Sequence, residues 1–183
     1  MTLEDDARLV EAIGRGDASA LERAYGAHKD ALLTVSSNLL GDRAAGEDVL
    51  HDVFVSLARA APTIRLRDSL RRYLVASCVH RVRDVLRRRQ RVAAAPDPLE
   101  DLESFAPDPG ARLEQNDGAA RLASALAALP PAQRAVVTLH LHGDLTFREI
   151  AELLSIPMNT AQSRYRYALD ALRKALAEEG ARG

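Results

Sequence analysis

Apolar side chains along the first sixty residues recur at helical spacing. Leu21, Tyr25, His28, Leu32, Val35 and Leu39 step by 4, 3, 4, 3 and 4, which predicts one long amphipathic helix from about Ala18 to Leu40. A shorter helix, Leu3 to Ile13, precedes it. Gly14 and Gly16 stop that helix, Asp17 supplies a new N-cap, and Gly41 ends the second one. His28 lies within the stripe with no second ligand near it, so it reads as a packing residue. The third helix, from about Ala44 to Ala60, carries Leu50, Val53, Phe54 and Leu57 on one side and Glu47, Asp48, His51 and Asp52 on the other. Acids in a first turn favour the helix dipole; they also suit a surface that docks a basic partner. Pro62 closes the helix.

The stretch Leu66 to Arg91 is different in kind. Wound at about 100° per residue, it places Leu74, Val75, Cys78, Val79, Val82, Val85 and Leu86 on one half of a fourth helix. The other half carries Arg72, Tyr73, His80, Arg81, Arg83, Asp84, Arg87, Arg88 and Arg91. Arg71 and Arg89 fall on the apolar side, near ends from which a long side chain can reach back to water. One face can dock on a core while the other presents guanidinium groups. A solvated face usually mixes signs, whereas this one is arginine with a single internal acid. Since guanidinium binds phosphate in bidentate fashion, nucleic acid is the leading partner.

From Val92 to about Asn116 helical periodicity is lost. Four prolines, Pro96, Pro98, Pro107 and Pro109, interrupt an acidic segment, which is expected to be a flexible linker between two helical domains. Beyond it, a helix from about Gly118 to Leu129 ends at Pro130 and Pro131. Pro131 can start the next helix, which carries Val136, Val137, Leu139 and Leu141 and stops at Gly143. His140 and His142 point to different faces and look structural or exposed rather than metal-binding. Thr146 and Glu149 form a capping box for a short helix from Phe147 to Leu154. A tight turn at Ser155 to Pro157 then leads into a longer helix ending near Leu176. Small Ala151 permits the close crossing of a helix-turn-helix, pinned by Ile150, Leu154, Ile156, Ala161, Leu169 and Leu172. Met158, Asn159, Gln162, Ser163 and Arg166 stay on the outward side, in the turns where a recognition helix meets base edges.

Composition and charge sharpen this picture. The chain of 183 residues has a formal charge of -1, yet residues 65 to 91 hold ten arginines against Asp68 and Asp84, a net +8. Residues 1 to 64 carry -5 and residues 92 to 120 carry -6, so a basic patch lies between two acidic stretches. Aromatics make up 4% and Trp is absent, which suits alanine-rich helical cores better than sheets. A single cysteine, Cys78, rules out an internal disulfide and points to a reducing cytoplasm. The amino terminus lacks the apolar segment of a signal peptide. The longest uncharged run, Leu122 to Gln133, is too short to span a bilayer. No catalytic triad, metal cluster or phosphate-cradling glycine loop is apparent, so neither an enzyme nor a cofactor is expected.

The order of parts resembles the extracytoplasmic-function (ECF) sigma factors of bacterial RNA polymerase. AGEDVLHDVFVSLAR (Ala45 to Arg59) resembles that family's polymerase-binding helix. YLVASCVHRVRDVLRRRQR (Tyr73 to Arg91) is similar to its arginine-rich helix, with Asp84, Arg87 and Arg88 in register. The stretch from ALAALPPAQR to YALDALR resembles its helix-turn-helix. The chain departs from the pattern at several positions. Tyr73 stands where Trp is usual, Val79 and His80 replace Arg and Asn, and Asn159, Ala161 and Gln162 replace Gly, Val and Lys.

The resemblance implies an all-α chain: a four-helix region 2 domain over residues 1–91, a linker over 92–117 and a region 4 helix-turn-helix domain over 118–183. It implies that Glu47, Asp48, His51, Asp52 and Phe54 engage the beta-prime clamp helices of core polymerase, with the beta flap a further polymerase contact. Arg72, His80, Arg81, Arg83, Asp84, Arg87, Arg88 and Arg91 would approach the minus 10 element. Met158, Asn159, Thr160, Gln162, Ser163, Arg164 and Arg166 would read the minus 35 element. Core polymerase, promoter DNA and an anti-sigma factor are the implied partners. Two rival readings are a sigma-like decoy that sequesters an anti-sigma protein and a stand-alone helix-turn-helix regulator.

Overall fold

The ends of the helices coincide with capping chemistry that the sequence supplies. The computed structural model of the chain describes residues 2–93 and 117–180; among these there are eight helices and no strand. Helix α1 (Leu3–Gly14) opens on a capping box, in which the Asp5 N–H donates to Thr2 Oγ1 (3.2 Å) and the Thr2 N–H to Asp5 Oδ2 (3.0 Å). Helix α2 (Ala18–Leu40) is capped by Asp17, whose carboxylate accepts from the N–H groups of Ser19 and Ala20 at 2.9 and 3.2 Å. It stops at Gly41 with φ of 65°, a conformation that glycine adopts without steric cost. Helix α3 (Arg43–Ala60) begins on Asp42, which accepts from the Ala45 N–H at 3.1 Å. The arginine-rich helix α4 (Leu70–Ala93) starts four residues after Leu66.

The C-terminal half comprises α5 (Asp117–Ala127), α6 (Pro131–Leu141), α7 (Phe147–Leu154) and α8 (Met158–Gly180). Pro131 is the first residue of α6, as expected. The Thr146–Glu149 capping box of α7 forms with reciprocal bonds of 3.3 and 2.7 Å. Helix α8 runs on past Leu176 to Gly180. Of the linker expected over 92–117, Val92 and Ala93 end α4 and Asp117 begins α5, while residues 94–116 lie outside the described residues.

Helices α2, α3 and α4 pack on one another, with α1 laid across them. Leu32, Val35, Leu40, Val49, Val53, Leu57, Leu74, Val75, Cys78 and Val79 are all buried to within 2% of full enclosure. At roughly 25 cal/mol per Å² of apolar surface, this aliphatic interior is the main stabilising term. The crossing of α2 and α3 is unusually close. Ser36 Oγ lies 3.0 Å from the Gly46 carbonyl oxygen, and a Cβ on Gly46 would stand 2.9 Å from the Ser37 nitrogen and closer still to its hydroxyl oxygen. Helix α6 is buried on two sides. Ala132, Ala135, Val136 and Leu139 join the same apolar cluster as α1 to α4, while Val137 joins Ala125, Leu126, Leu129, Ala168 and Leu172 in a second cluster.

Several expectations need correction. Tyr25, at the start of the α2 stripe, is 41% exposed, because the stripe drifts round the helix and Ala20 and Ala24 take the core positions instead. Leu141 ends α6 at 55% exposure. Arg71 and Arg89 do not merely reach back to water. The Arg71 guanidinium donates to the His142 carbonyl at 2.7 Å, and Arg89 pairs with Asp42 at 3.0 Å. Arg134 lies inside in spite of its charge. It is 3% exposed and donates to the Ala127 carbonyl at 2.9 Å, covering an open end of α5.

The tight α2–α3 crossing makes Gly46→Ala a test of the packing. The added methyl forces the two helices apart, and the gain in helix propensity offsets only part of that strain. Urea denaturation should show a loss of about 1–2 kcal/mol with helical content unchanged. The core position of Cys78 has a chemical consequence as well, since burial pushes its thiol up to about 12. Ellman's reagent at pH 8 should therefore leave the native protein unmodified and titrate one thiol after unfolding in guanidinium.

Candidate polymerase and nucleic-acid interfaces

The orientation of the arginine row is set by the first turn of α4. The Leu70 N–H donates to Asp6 Oδ2 at 2.8 Å, so a carboxylate from α1, itself 2% exposed, satisfies an amide that the helix leaves open. The Arg72 N–H donates to Ser69 Oγ at 3.3 Å. With Leu74, Val75, Cys78, Val79 and Val82 held in the core, the opposite side of α4 faces out.

The expected minus 10 residues separate into three groups. His80, Asp84, Arg87, Arg88 and Arg91 are exposed. Arg81 is half-buried and donates to Ser56 Oγ on α3 at 2.7 Å, so it also ties two helices together. Arg72 pairs with Asp68 at 3.3 Å and with Glu149 of α7 at 2.8 Å. Together with His80 and Arg83 it lines a cleft of about 590 Å³ whose far wall includes Leu145, Glu149, Glu152 and Leu153. Partial burial would raise the Glu149 carboxyl. The Thr146 hydroxyl and N–H and the Arg72 guanidinium outweigh it, holding Glu149 below the ordinary glutamate range and hence ionised at neutral pH.

On α3, Glu47, Asp48, His51 and Asp52 are all exposed on one face, and Glu47 also pairs with Arg43 at 3.1 Å. Phe54, on the apolar side of α3 and expected among the polymerase-contacting residues, is 6% exposed. It forms the floor of a groove of about 900 Å³ between α2 and α3, edge-on to Tyr25 with ring centroids 4.9 Å apart. Leu21, Tyr25, Leu33 and Val55 share that groove, a role that sequence reasoning missed. The amphipathic ring of Tyr25 near one end of the α2 stripe, in a chain with few aromatics, is the sequence signal that could have found them.

In the helix-turn-helix, Ser155 adopts φ of 56° and turns the chain from α7 into α8. Ala151 and Ala161 are buried where the helices cross. An aromatic trio locks the unit: His140 stacks on Phe147 at 4.6 Å, and Tyr165 meets both edge-on at 4.9 and 5.2 Å. His140 Nδ1 is 2.8 Å from the Leu145 carbonyl, which can only accept, so Nδ1 carries the proton. Met158, Asn159, Gln162 and Arg166 are exposed, while Thr160, Ser163 and Arg164 are half-buried. Ser163 turns its hydroxyl inward to the Thr160 carbonyl at 3.0 Å. Tyr167, 54% exposed with the Arg166 guanidinium 5.2 Å from its ring centre, was missed. His28 is buried as expected, with both ring nitrogens unpartnered. Desolvation, reinforced by Arg71 and opposed by Asp6, lowers its pKa and favours the neutral ring. No group of three or more metal-ligating side chains occurs among the described residues.

A three-helix core carrying an arginine-faced helix, joined to a helix-turn-helix, defines a transcription factor of the sigma class. The profile of sigma-70 region 2 matches residues 24–92, and that of sigma-70 region 4 matches residues 119–172. The chain is 46% identical over 68 residues to the ECF RNA polymerase sigma factor RpoE of Cereibacter sphaeroides, a stretch covering 37% of this chain and 38% of that protein. It is 25% identical over 185 residues to the RNA polymerase sigma-H factor of Pseudomonas aeruginosa, covering 96% of each. Two solved structures share the fold. The sigma factor RpoE of Bartonella quintana, in complex with the anti-sigma factor NepR, has a TM-score of 0.64 and 17% identity over 85% of this chain and 96% of that one. CnrH in complex with the cytosolic domain of CnrY has a TM-score of 0.61 and 20% identity over 94% of this chain and 97% of that one. The chain belongs to the sigma-70 family and, within it, to the ECF sigma factors.

Proposed function

We propose that the chain directs core RNA polymerase to its promoters through three surfaces and carries no catalysis of its own. The single observation that supports this most strongly is the division of labour within one small domain. Asp48 and Asp52 are exposed on α3 together with Glu47 and His51, which border a groove between α2 and α3, while the guanidinium row of α4 lies on a different face. Exposed acids on α3 beside a groove with an apolar floor and a rim of mixed charge, Glu22, Asp30 and Glu47 with Lys29, Arg43 and Arg59, suit a basic, amphipathic helix pair such as the beta-prime clamp helices. The row of arginines suits phosphates.

In this reading residues 1–91 bind polymerase and the minus 10 element, and residues 118–183 bind the minus 35 element and the beta flap, with 92–117 linking them. Arg83, Arg87, Arg88 and Arg91 approach phosphates. His80 and Asp84 are placed to contact bases or backbone, and Arg72 joins them once released from Glu149. Arg81 contributes charge while bracing α4 on α3. Along α8, Met158, Asn159, Gln162 and Arg166 meet base edges in the major groove, flanked by Thr160, Ser163 and Arg164. Gln162 reads by hydrogen bonding and supplies no charge to the backbone. An anti-sigma partner is part of the same reading, since the Bartonella quintana RpoE of like fold was solved with one. None of the described helices is long and apolar enough to cross a membrane; with its polymerase and DNA partners the chain is assigned to the cytoplasm.

Run-off transcription with core polymerase on a promoter library tests the whole reading, with specific transcripts expected only when the chain is added. Asp48→Arg with Asp52→Arg should abolish co-elution with core polymerase on size exclusion. Unchanged co-elution of this double variant rejects α3 as the docking face. Replacing Arg87 and Arg88 by Ala should weaken binding to all DNA sequences. The slope of log K against log salt should flatten by about 0.7–0.9 for each phosphate no longer neutralised. Asn159→Ala or Gln162→Ala should instead change which upstream sequence is preferred.

A further inference from the structure

Two uncharged amides stand at the front of α8. Asn159 and Gln162 are three residues apart on one side of the helix, both exposed, and neither side chain hydrogen-bonds to another of the described residues. Just ahead of them Met158 is 45% exposed. Their polar neighbours are engaged elsewhere. Ser163 donates to the Thr160 carbonyl at 3.0 Å, Thr160 and Arg164 are half-buried, and the Arg166 guanidinium leans over the Tyr167 ring, 5.2 Å from its centre. One turn past Arg166, Asp170 occupies the same side of the helix, paired with Arg173 at 3.2 Å. A carboxylate there repels the DNA backbone, so the reading surface is confined to the first three turns.

We propose that the upstream element is specified by A·T pairs, with adenines bonded by Asn159 and Gln162 and a thymine methyl packed against Met158. This rests on α8 being the major-groove helix of the function proposed above. A side-chain amide matches adenine with two bonds: its carbonyl oxygen accepts from the N6 amino group while its own amino group donates to N7. Guanine offers the acceptors O6 and N7 in the same place, so the amide oxygen meets no donor and is desolvated without return. The groups that favour guanine, guanidinium and ammonium, are absent from the exposed positions of the first two turns of α8, which are Met158, Asn159 and Gln162 together with no basic residue. Asn159 and Gln162 are separated along the axis by about 4.5 Å, close to the base-pair step of about 3.4 Å, so their adenines belong to adjacent pairs. The Met158 thioether has no strong hydrogen-bonding group and gains by apolar contact. Thymine is the base that offers a methyl in this groove.

Selection of bound promoters from a library randomised in the upstream element, with the full-length chain assembled on core polymerase, tests this. Two adjacent A·T pairs and a neighbouring thymine should be recovered, and exchanging either A·T pair for G·C should weaken binding about tenfold. An adenine analogue with carbon in place of N7 should weaken the wild-type complex several-fold at each of the two positions. Asn159→Ala should be indifferent to the analogue at one of them and Gln162→Ala at the other. Uracil in place of the thymine should likewise cost the wild type affinity and leave Met158→Ala unaffected. Gln162→Lys should turn the preference at its own pair from A·T to G·C. Recovery of G·C at the pairs where the two alanine variants lose selectivity overturns the proposal, as does a Gln162→Lys variant that selects the wild-type sequence. A library that returns no upstream preference rejects α8 as a reading helix altogether, a failure distinct from the selection of G·C.

Discussion

Burial of one side of α4 is the constraint on which the remaining architecture depends. Leu74, Val75, Cys78, Val79 and Val82 are sealed against α2 and α3, and a helix fixed along one edge has no freedom to rotate about its axis. The arginines are thereby aimed chiefly by the apolar residues on the other side of their own helix. Such a face carries a standing electrostatic cost, since like charges along it repel. Asp42 under Arg89 and Ser56 under Arg81 offset part of that repulsion. A polyanion laid along the exposed end of the row, at Arg87, Arg88 and Arg91, relieves more of it.

Much of this was legible in the sequence, for identifiable reasons. Helix limits followed from Asp17, Gly41, Pro131 and the Thr146–Glu149 pair, whose chemistry is local. The helix-turn-helix followed from the same local signals, with small Ala151 and Ala161 at the crossing. What escaped was non-local. The role of Asp6 requires knowing that α1 lies over the start of α4, sixty-four positions along the chain. The close approach at Gly46 requires knowing what faces it. Periodicity placed Tyr25 and Leu141 inside because it assigns a side to each residue but cannot say where the neighbouring helix ends.

The candidate site shows the same division. Periodicity and charge picked out the α4 row and the α3 acids as surfaces. They also marked Arg71 and Arg89 as misfits, and both departures proved informative. Each is a guanidinium inserted among apolar neighbours because a specific acceptor awaits it, a carbonyl at the far end of α6 in one case and a helix-capping carboxylate in the other. Phe54, on the apolar side of α3 by periodicity, is nearly buried and lines the groove from below. The side-by-side placement of the two halves had no sequence signature, since the residues that make it are individually ordinary.

The reach of Asp6 from α1 to the first amide of α4 links the chain's beginning to its most highly charged helix. Shortening the chain by a single turn at that end, or fraying it with a bulky fusion, removes the acceptor for the Leu70 amide and loosens the turn carrying Arg71 and Arg72. The integrity of the first dozen residues thus sets how firmly the basic face is presented, although none of them belongs to it.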